Sequence, residues 1–142
     1  GFKPDNVVRV SKSGMTHREA KVFGEMLSKN PNIISVSPHY HGMENGKFNT
    51  DSILHFTYEA VNENFIDLFG IQILQGRNFS ELNPSDSANS VIINQSFVKE
   101  AGWKEPIGQQ VKMMDGAIRR VIGIVKDYNY ESLKSKIDPQ LF

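Results

Sequence analysis

The sequence predicts an α+β fold with a mixed or largely antiparallel sheet. Three observations predict it. Short β-branched runs recur along the whole chain, the helical patterns between them are brief and carry their own start and stop signals, and Asp115-Gly116 joins two apolar runs as a hairpin turn does. The 142 residues make one ordinary domain or two small subdomains.

Val7 to Val10 is a β-branched run after Pro4-Asp5-Asn6 and reads as a first strand. Thr16 and Glu19 form a T-x-x-E capping box, and Ala20, Phe23, Met26 and Leu27 follow at helical spacing until Asn30-Pro31-Asn32 stops the helix. Ile33 to Val36 reads as a second strand, so the chain is expected to open as β-α-β. The stretch from Pro38 to Asp51 is polar, and Asn45-Gly46 reads as a tight turn. Beyond it Leu54, Phe56, Tyr58 and Ala60 alternate with Ile53, His55, Thr57 and Glu59. That predicts a strand with one apolar face and one mostly wet face.

Asn62 is placed to cap a short helix carrying Phe65, Ile66, Leu68 and Phe69, with Gly70 ending it. Ile71 to Leu74 reads as a strand leading to Gly76-Arg77, and Asn83 to Ser90 as a loop. Val91 to Ile93 is a buried-type strand. Asn94 then caps a helix with Phe97, Val98 and Ala101 that stops at Gly102. Val111 and Met113 lead to the Asp115-Gly116 turn, and the chain returns through Ile118 to Val125. Leu133 and Ile137 mark a last short helix before Asp138-Pro139.

Composition excludes several classes. Sixteen basic and sixteen acidic residues balance to zero net charge, so the basic excess of a nucleic-acid binder is absent. Hydrophobic residues are 39%, too many for a disordered chain, and the run Val121-Ile122-Gly123-Ile124-Val125 is far too short to span a bilayer. Cysteine is absent, which removes disulfides, thiolate metal sites and cysteine nucleophiles. The chain begins at Gly1 with no leader before Phe2-Lys3-Pro4, and reads as a piece of something longer.

The residues with chemical potential are few. His39 and His41 sit two apart and, in an extended chain, face one side; a metal shared with His55 or Asp51 would follow, but no firm third ligand is evident. Asp127 follows a buried strand and is the best-placed single acid, though Asp at such a position ordinarily caps a turn or helix. Lys126, Tyr128 and Tyr130 loosely resemble a single-strand-binding patch, which Asp127 and Glu131 interrupt. Phe65 and Phe69 fit a helix's core face, and Trp103 a lid on the core edge. No serine elbow or phosphate-cradling glycine loop occurs. No catalytic, metal-ligating or cofactor-binding residue is assigned.

Three groups of residues, taken in order, carry a resemblance. They are Asn64-Phe65 with Phe69-Gly70-Ile71 and Gly76-Arg77-Asn78-Phe79; Ile93-Asn94 with Gly102-Trp103 and Pro106-Ile107-Gly108; and Val121 to Tyr128 with Ser132-Leu133. Together they resemble the MacB-like periplasmic core domain of FtsX-type ABC transporter permeases, in the version found in chains with two such ectodomains. Gly1 to Val8 resembles the start of the second ectodomain, just after a transmembrane helix.

The resemblance implies a porter-like β-α-β unit with a smaller α+β part inserted into it. Residues 1–60 would form the first, 61–127 the second, and 128–142 a return segment. The family continues past the position of Pro139-Gln140-Leu141-Phe142, so the porter-like half would be incomplete, with a sheet edge open to another copy. It further implies a non-enzymatic domain on the periplasmic side of the inner membrane, anchored by transmembrane helices outside this sequence. Such a domain has no cofactor of its own. ATP is used by a separate cytoplasmic ATP-binding subunit or domain, coupled through those helices to export of a peptide, antibiotic or lipoprotein. A second permease copy and a periplasmic protein are the other partners implied, and nucleic acid is not. Two other readings compete: an extracytoplasmic sensor binding a small ligand in a cleft between its two parts, and a hydrolase or metalloenzyme whose pocket would gather His39, His41, His55 and Asp127.

Overall fold

A computed structural model describes residues 6–11, 13–47, 52–128 and 137–142. Its first element is helix α1, His17–Ser28. The capping box is formed as expected: the Thr16 hydroxyl accepts from the Glu19 N–H at 3.3 Å, and the Glu19 carboxylate accepts from the Thr16 N–H at 2.8 Å. That reciprocal pair satisfies two of the donors a helix start leaves open.

The flanking runs Val7 to Val10 and Ile33 to Val36 are not strands. Neither meets a ladder partner among the described residues, and a β-branched run becomes a strand only when a neighbour takes its N–H and C=O groups. Val8, Val10 and Ile34 stay exposed.

Among the described residues seven strands follow: β1 Tyr40–Lys47, β2 Ile53–Ala60, β3 Ile73–Gly76, β4 Ser90–Asn94, β5 Gln110–Met113, β6 Ile118–Val125 and β7 Gln140–Leu141. Hydrogen-bonded neighbours run β6–β4–β7–β2–β1–β5 and return to β6, so six strands close into a ring, with β3 paired to β6 at Gly123–Val125, beyond the stretch that β5 takes. The sheet is mixed: β4–β6 and β2–β7 are parallel, and the other pairs are antiparallel. An α+β fold with a mixed sheet is therefore present. The expected division after residue 60 falls between β2 and the helix that follows, and strands from both sides of it share this one sheet.

β1 replaces the turn expected at Asn45-Gly46. Eight residue pairs, Tyr40↔Ala60 through Lys47↔Ile53, hold it to β2. Gly46 is there for closeness, not for a bend: a Cβ on it would lie 2.9 Å from the Phe56 ring and 3.0 Å from Val111. The hairpin between β5 and β6 forms as expected, with Gly116 at φ 89° and the Gly116 N–H donating to the Met113 carbonyl at 3.0 Å.

Helix α2, Asn64–Leu68, follows β2, and the Asn62 side chain accepts from the Asn64 N–H at 3.2 Å. Ile71 closes this helix through a bond from its N–H to the Ile66 carbonyl, so the next strand starts two residues later than expected. Asp86–Asn89 forms a one-turn helix, α3, inside the expected loop. Helix α4, Gln95–Ala101, starts at Asn94, whose side chain accepts from the Phe97 N–H at 2.9 Å, and ends at left-handed Gly102. The short helix expected around Leu133 lies outside the described residues.

The core has two parts because β4 and β6 are buried on both faces. One cluster joins Leu54, Phe56, Val91, Ile93, Val111 and Leu141 to Phe97 of α4, as the inward side of a closed sheet would. The other sets Ile92, Val125 and Phe142 against Phe65 and Ile66 of α2. A bulge at Val91/Ile92 shifts the register so that Val91 faces Val121 but Ile92 faces Gly123. That leaves the Ile122 carbonyl to accept from the Arg77 N–H at 3.0 Å, which fastens the end of β3 to β6.

Candidate functional site

Three polar constellations sit on this frame. The first is built on Arg77, directly after β3. Its guanidinium donates to both carboxylate oxygens of Asp86 at 2.6 and 2.9 Å and to the Asn78 carbonyl at 3.0 Å. Asp86 is only 4% exposed and also accepts from the Ser80 N–H and the Ser90 hydroxyl. The hydrogen bonds from Arg77 hold the Asp86 carboxyl below the ordinary carboxylate value, against burial, and those of Ser80 and Ser90 act the same way. Arg77 is shifted upward by the same pair. The fork ties residues 77–90 into one folded loop.

The second constellation locks β7 between β4 and β2. The Asn94 side chain donates to the Asp138 carbonyl at 3.0 Å, while its Oδ1 accepts from the Gln140 N–H at 2.9 Å as well as capping α4. Asp127 accepts from the Ser96 N–H at 2.9 Å and from the Ser96 hydroxyl at 2.8 Å. It therefore helps Asn94 cap α4, the helix after β4. The best-placed acid of the sequence is a helix cap.

The third constellation was only half visible beforehand. His41 and Glu59 face each other across the β1–β2 ladder, and His39 approaches the same carboxylate from two residues upstream. His41 Nδ1 lies 2.8 Å from Glu59 Oε1, and His39 Nε2 contacts Glu59 Oε2. Glu59 is 2% exposed, against the expectation of a wet face. The reason is what covers that end of β2. The side chains of Asn62 and Asn64 both donate to the Val36 carbonyl, at 3.4 and 3.2 Å, and the His39 ring stacks on Phe65 at 5.3 Å.

His55, on the uncovered end of the same face, pairs with Asn45 across the ladder and takes no part. Asp51, Tyr130 and Glu131 lie outside the described residues. His39 and His41 meet on Glu59, whereas His55 is bonded to Asn45 and Asp127 to Ser96. The third partner of the two histidines is Glu59, and an H-x-H paired in register to a Glu two strand positions past Thr57 was the signal that would have found it.

The aromatic residues pack as core. Phe65 lies 4.6 Å from Phe69, which lies 5.9 Å from Tyr128; Trp103 covers Phe97 at 5.9 Å. The described residues also line open clefts. One, of about 500 Å³, runs beside Leu74, Trp103 and Pro106, and another, of about 470 Å³, lies between residues 58–63 and the 79–87 loop. No described helix is long and apolar enough to cross a membrane.

Residues 2–142 match the family described as the MacB-like periplasmic core domain. The chain belongs to this family. Solved structures with this fold include the periplasmic region of MacB from Actinobacillus actinomycetemcomitans, at 22% identity and TM-score 0.69, covering 84% of this chain and 53% of that one. Another is the extracellular domain of the noncanonic ABC-type transporter YknZ from Gram-positive bacteria, at 15% identity and TM-score 0.67, covering 83% and 58%. The chain thus spans little more than half the length of these structures. A search of curated proteins finds no match. In this MacB-like core domain the family-resembling residues Gly76, Arg77, Asn94, Gly123 and Asp127 all join one segment to another.

Proposed function

We propose that the protein is the extracytoplasmic domain of an ABC-type permease and works as a mechanical part, not as an enzyme. Transmembrane helices outside this sequence would hold it on the periplasmic side of the inner membrane. ATP would be used by a cytoplasmic ATP-binding subunit or domain, whose motion those helices pass to this domain to move a peptide, antibiotic or lipoprotein. The domain needs no cofactor for that role. A second permease copy and a periplasmic protein are the further partners of this reading.

One observation carries it: the family match runs over residues 2–142. The arrangement of polar groups supports it, because Arg77, Asp86, Asn94 and Asp127 are spent on joining segments. A part that transmits force needs its segments tied in this way, whereas a general acid or base must reach a substrate.

The lack of cysteine in this domain allows a direct test of location. Leu82 is 91% exposed, so Leu82→Cys places a thiol on the surface. A membrane-impermeant maleimide applied to intact cells stripped of their outer envelope is expected to label the full-length Leu82→Cys chain and not its parent at that site. Labelling that appears only after lysis places the domain in the cytoplasm and ends the reading.

A further inference from the structure

We propose that His39, His41 and Glu59 bind one divalent transition-metal ion, with Zn²⁺ the best fit. The inference goes beyond the permease reading and stands independently of it. It begins with backbone register. His41 and Glu59 are direct cross-strand partners, and residues two apart on an extended chain point to one side, so both imidazoles meet one carboxylate. One ligand atom from each residue lies within 4.8 Å of the other two. The two imidazole nitrogens contact different oxygens of Glu59, so both rings and the carboxylate meet at one place.

The donor set narrows the choice of metal. Two imidazole nitrogens and a carboxylate oxygen, with a fourth position open to water, is an arrangement Zn²⁺ adopts at three-ligand sites. The absence of thiolate argues against Cu(I), and the two imidazoles argue against Mg²⁺ and Ca²⁺, which take oxygen ligands. Burial adds a reason for a cation here. A carboxylate at 2% exposure is costly unless its charge is compensated, and a dication between the two rings would compensate it.

The surroundings hold the ligands in place. Phe65 stacks on the His39 ring, and the two asparagine contacts to Val36 fix the segment that delivers His39. The His41 side chain is 37% exposed, which leaves the metal a way in. The same three groups would also make a metal-free hydrogen-bonded cluster, and the experiment separates the two.

The protein, stripped with a chelator and dialysed, is titrated with Zn²⁺ by calorimetry at neutral pH, and its thermal unfolding is followed with and without Zn²⁺. The expected result is uptake of one Zn²⁺ per chain and a raised melting temperature. In His41→Ala, a surface change that leaves the core intact, the affinity falls about 100-fold or more and the thermal shift disappears. Glu59→Gln gives the same loss where it folds, and His55→Ala binds as the parent does. No stoichiometric uptake by the parent, or uptake that survives in His41→Ala, overturns the proposal and leaves the cluster a hydrogen-bonded one.

Discussion

Gly76→Ala is expected to cost about 3 kcal/mol or more of folding stability. Two penalties fall on the same atom. Gly76 has φ 75°, a left-handed conformation that L side chains rarely adopt, and its missing Cβ would sit far inside the contact distance of the Ile122 carbonyl oxygen. It would also lie 2.9 Å from Ile107 and 3.0 Å from the Gly123 backbone. A side chain can be turned aside from such a contact; here the obstacle is the backbone of β6, which is also bonded to β4. Gly76 and Gly123 are ladder partners, and a Cβ on Gly123 would meet the Arg77 carbonyl in the same way. Urea unfolding of Gly76→Ala beside Gly116→Ala separates the two penalties. Gly116 has φ 89° with open space around it, so its variant pays backbone strain alone, about 1 kcal/mol. Equal losses in the two variants would show that the β3–β6 approach is not tight.

Arg77→Ala is expected to lose about 2 kcal/mol near neutral pH, because it strands the buried Asp86 carboxylate. The figure is set below that of a fully buried pair because Arg77 is 47% exposed and water screens it. The effect has a pH signature. Asp86 has a lowered pKa in the folded protein, so its contribution is fully present above the unfolded-state value of about 3.9 and is lost as pH falls through the folded value. Arg77→Ala removes the main cause of that lowering. Urea unfolding at neutral pH and at about pH 3 should therefore show parent and variant converging in acid. A gap that keeps its full size in acid would mean that Arg77 acts through packing and not through Asp86.

How much of this was legible beforehand depended on whether the signal was local. The α1 capping box, the Asn94 cap, the Gly102 stop and the Asp115-Gly116 hairpin are each set within a few residues, and each forms where the sequence places it. β1 was hidden because Tyr40–Lys47 is polar on both faces, and its strand character comes from eight partners on β2. β7 was hidden because two residues carry no period, and its place is set by β4 and β2. Val7 to Val10 errs in the opposite direction: its composition suits a strand, but no neighbour among the described residues pairs with it.

The candidate site follows the same division. The H-x-H pair was visible as a spacing, and Arg77 only as part of the Gly76-Arg77-Asn78-Phe79 stretch that carries the resemblance. Glu59 and Asp86 were not visible as their partners. Strand alternation assigns Glu59 to a face but does not report that Phe65 and His39 will cover that face. Asp86 lies in a run of loop residues, and only the folded 77–90 segment brings it back to Arg77. Long-range partners of polar groups are a property of the closed sheet.

The permease reading is tested most directly on the full-length protein. It would be extracted from membranes in mild detergent, and the material purified with it identified by mass spectrometry. The account predicts that the chain stays with the membrane fraction and brings an ATP-binding subunit, or carries an ATP-binding domain of its own. Recovery in the soluble fraction, or from membranes with no ATP-binding protein attached, would contradict it.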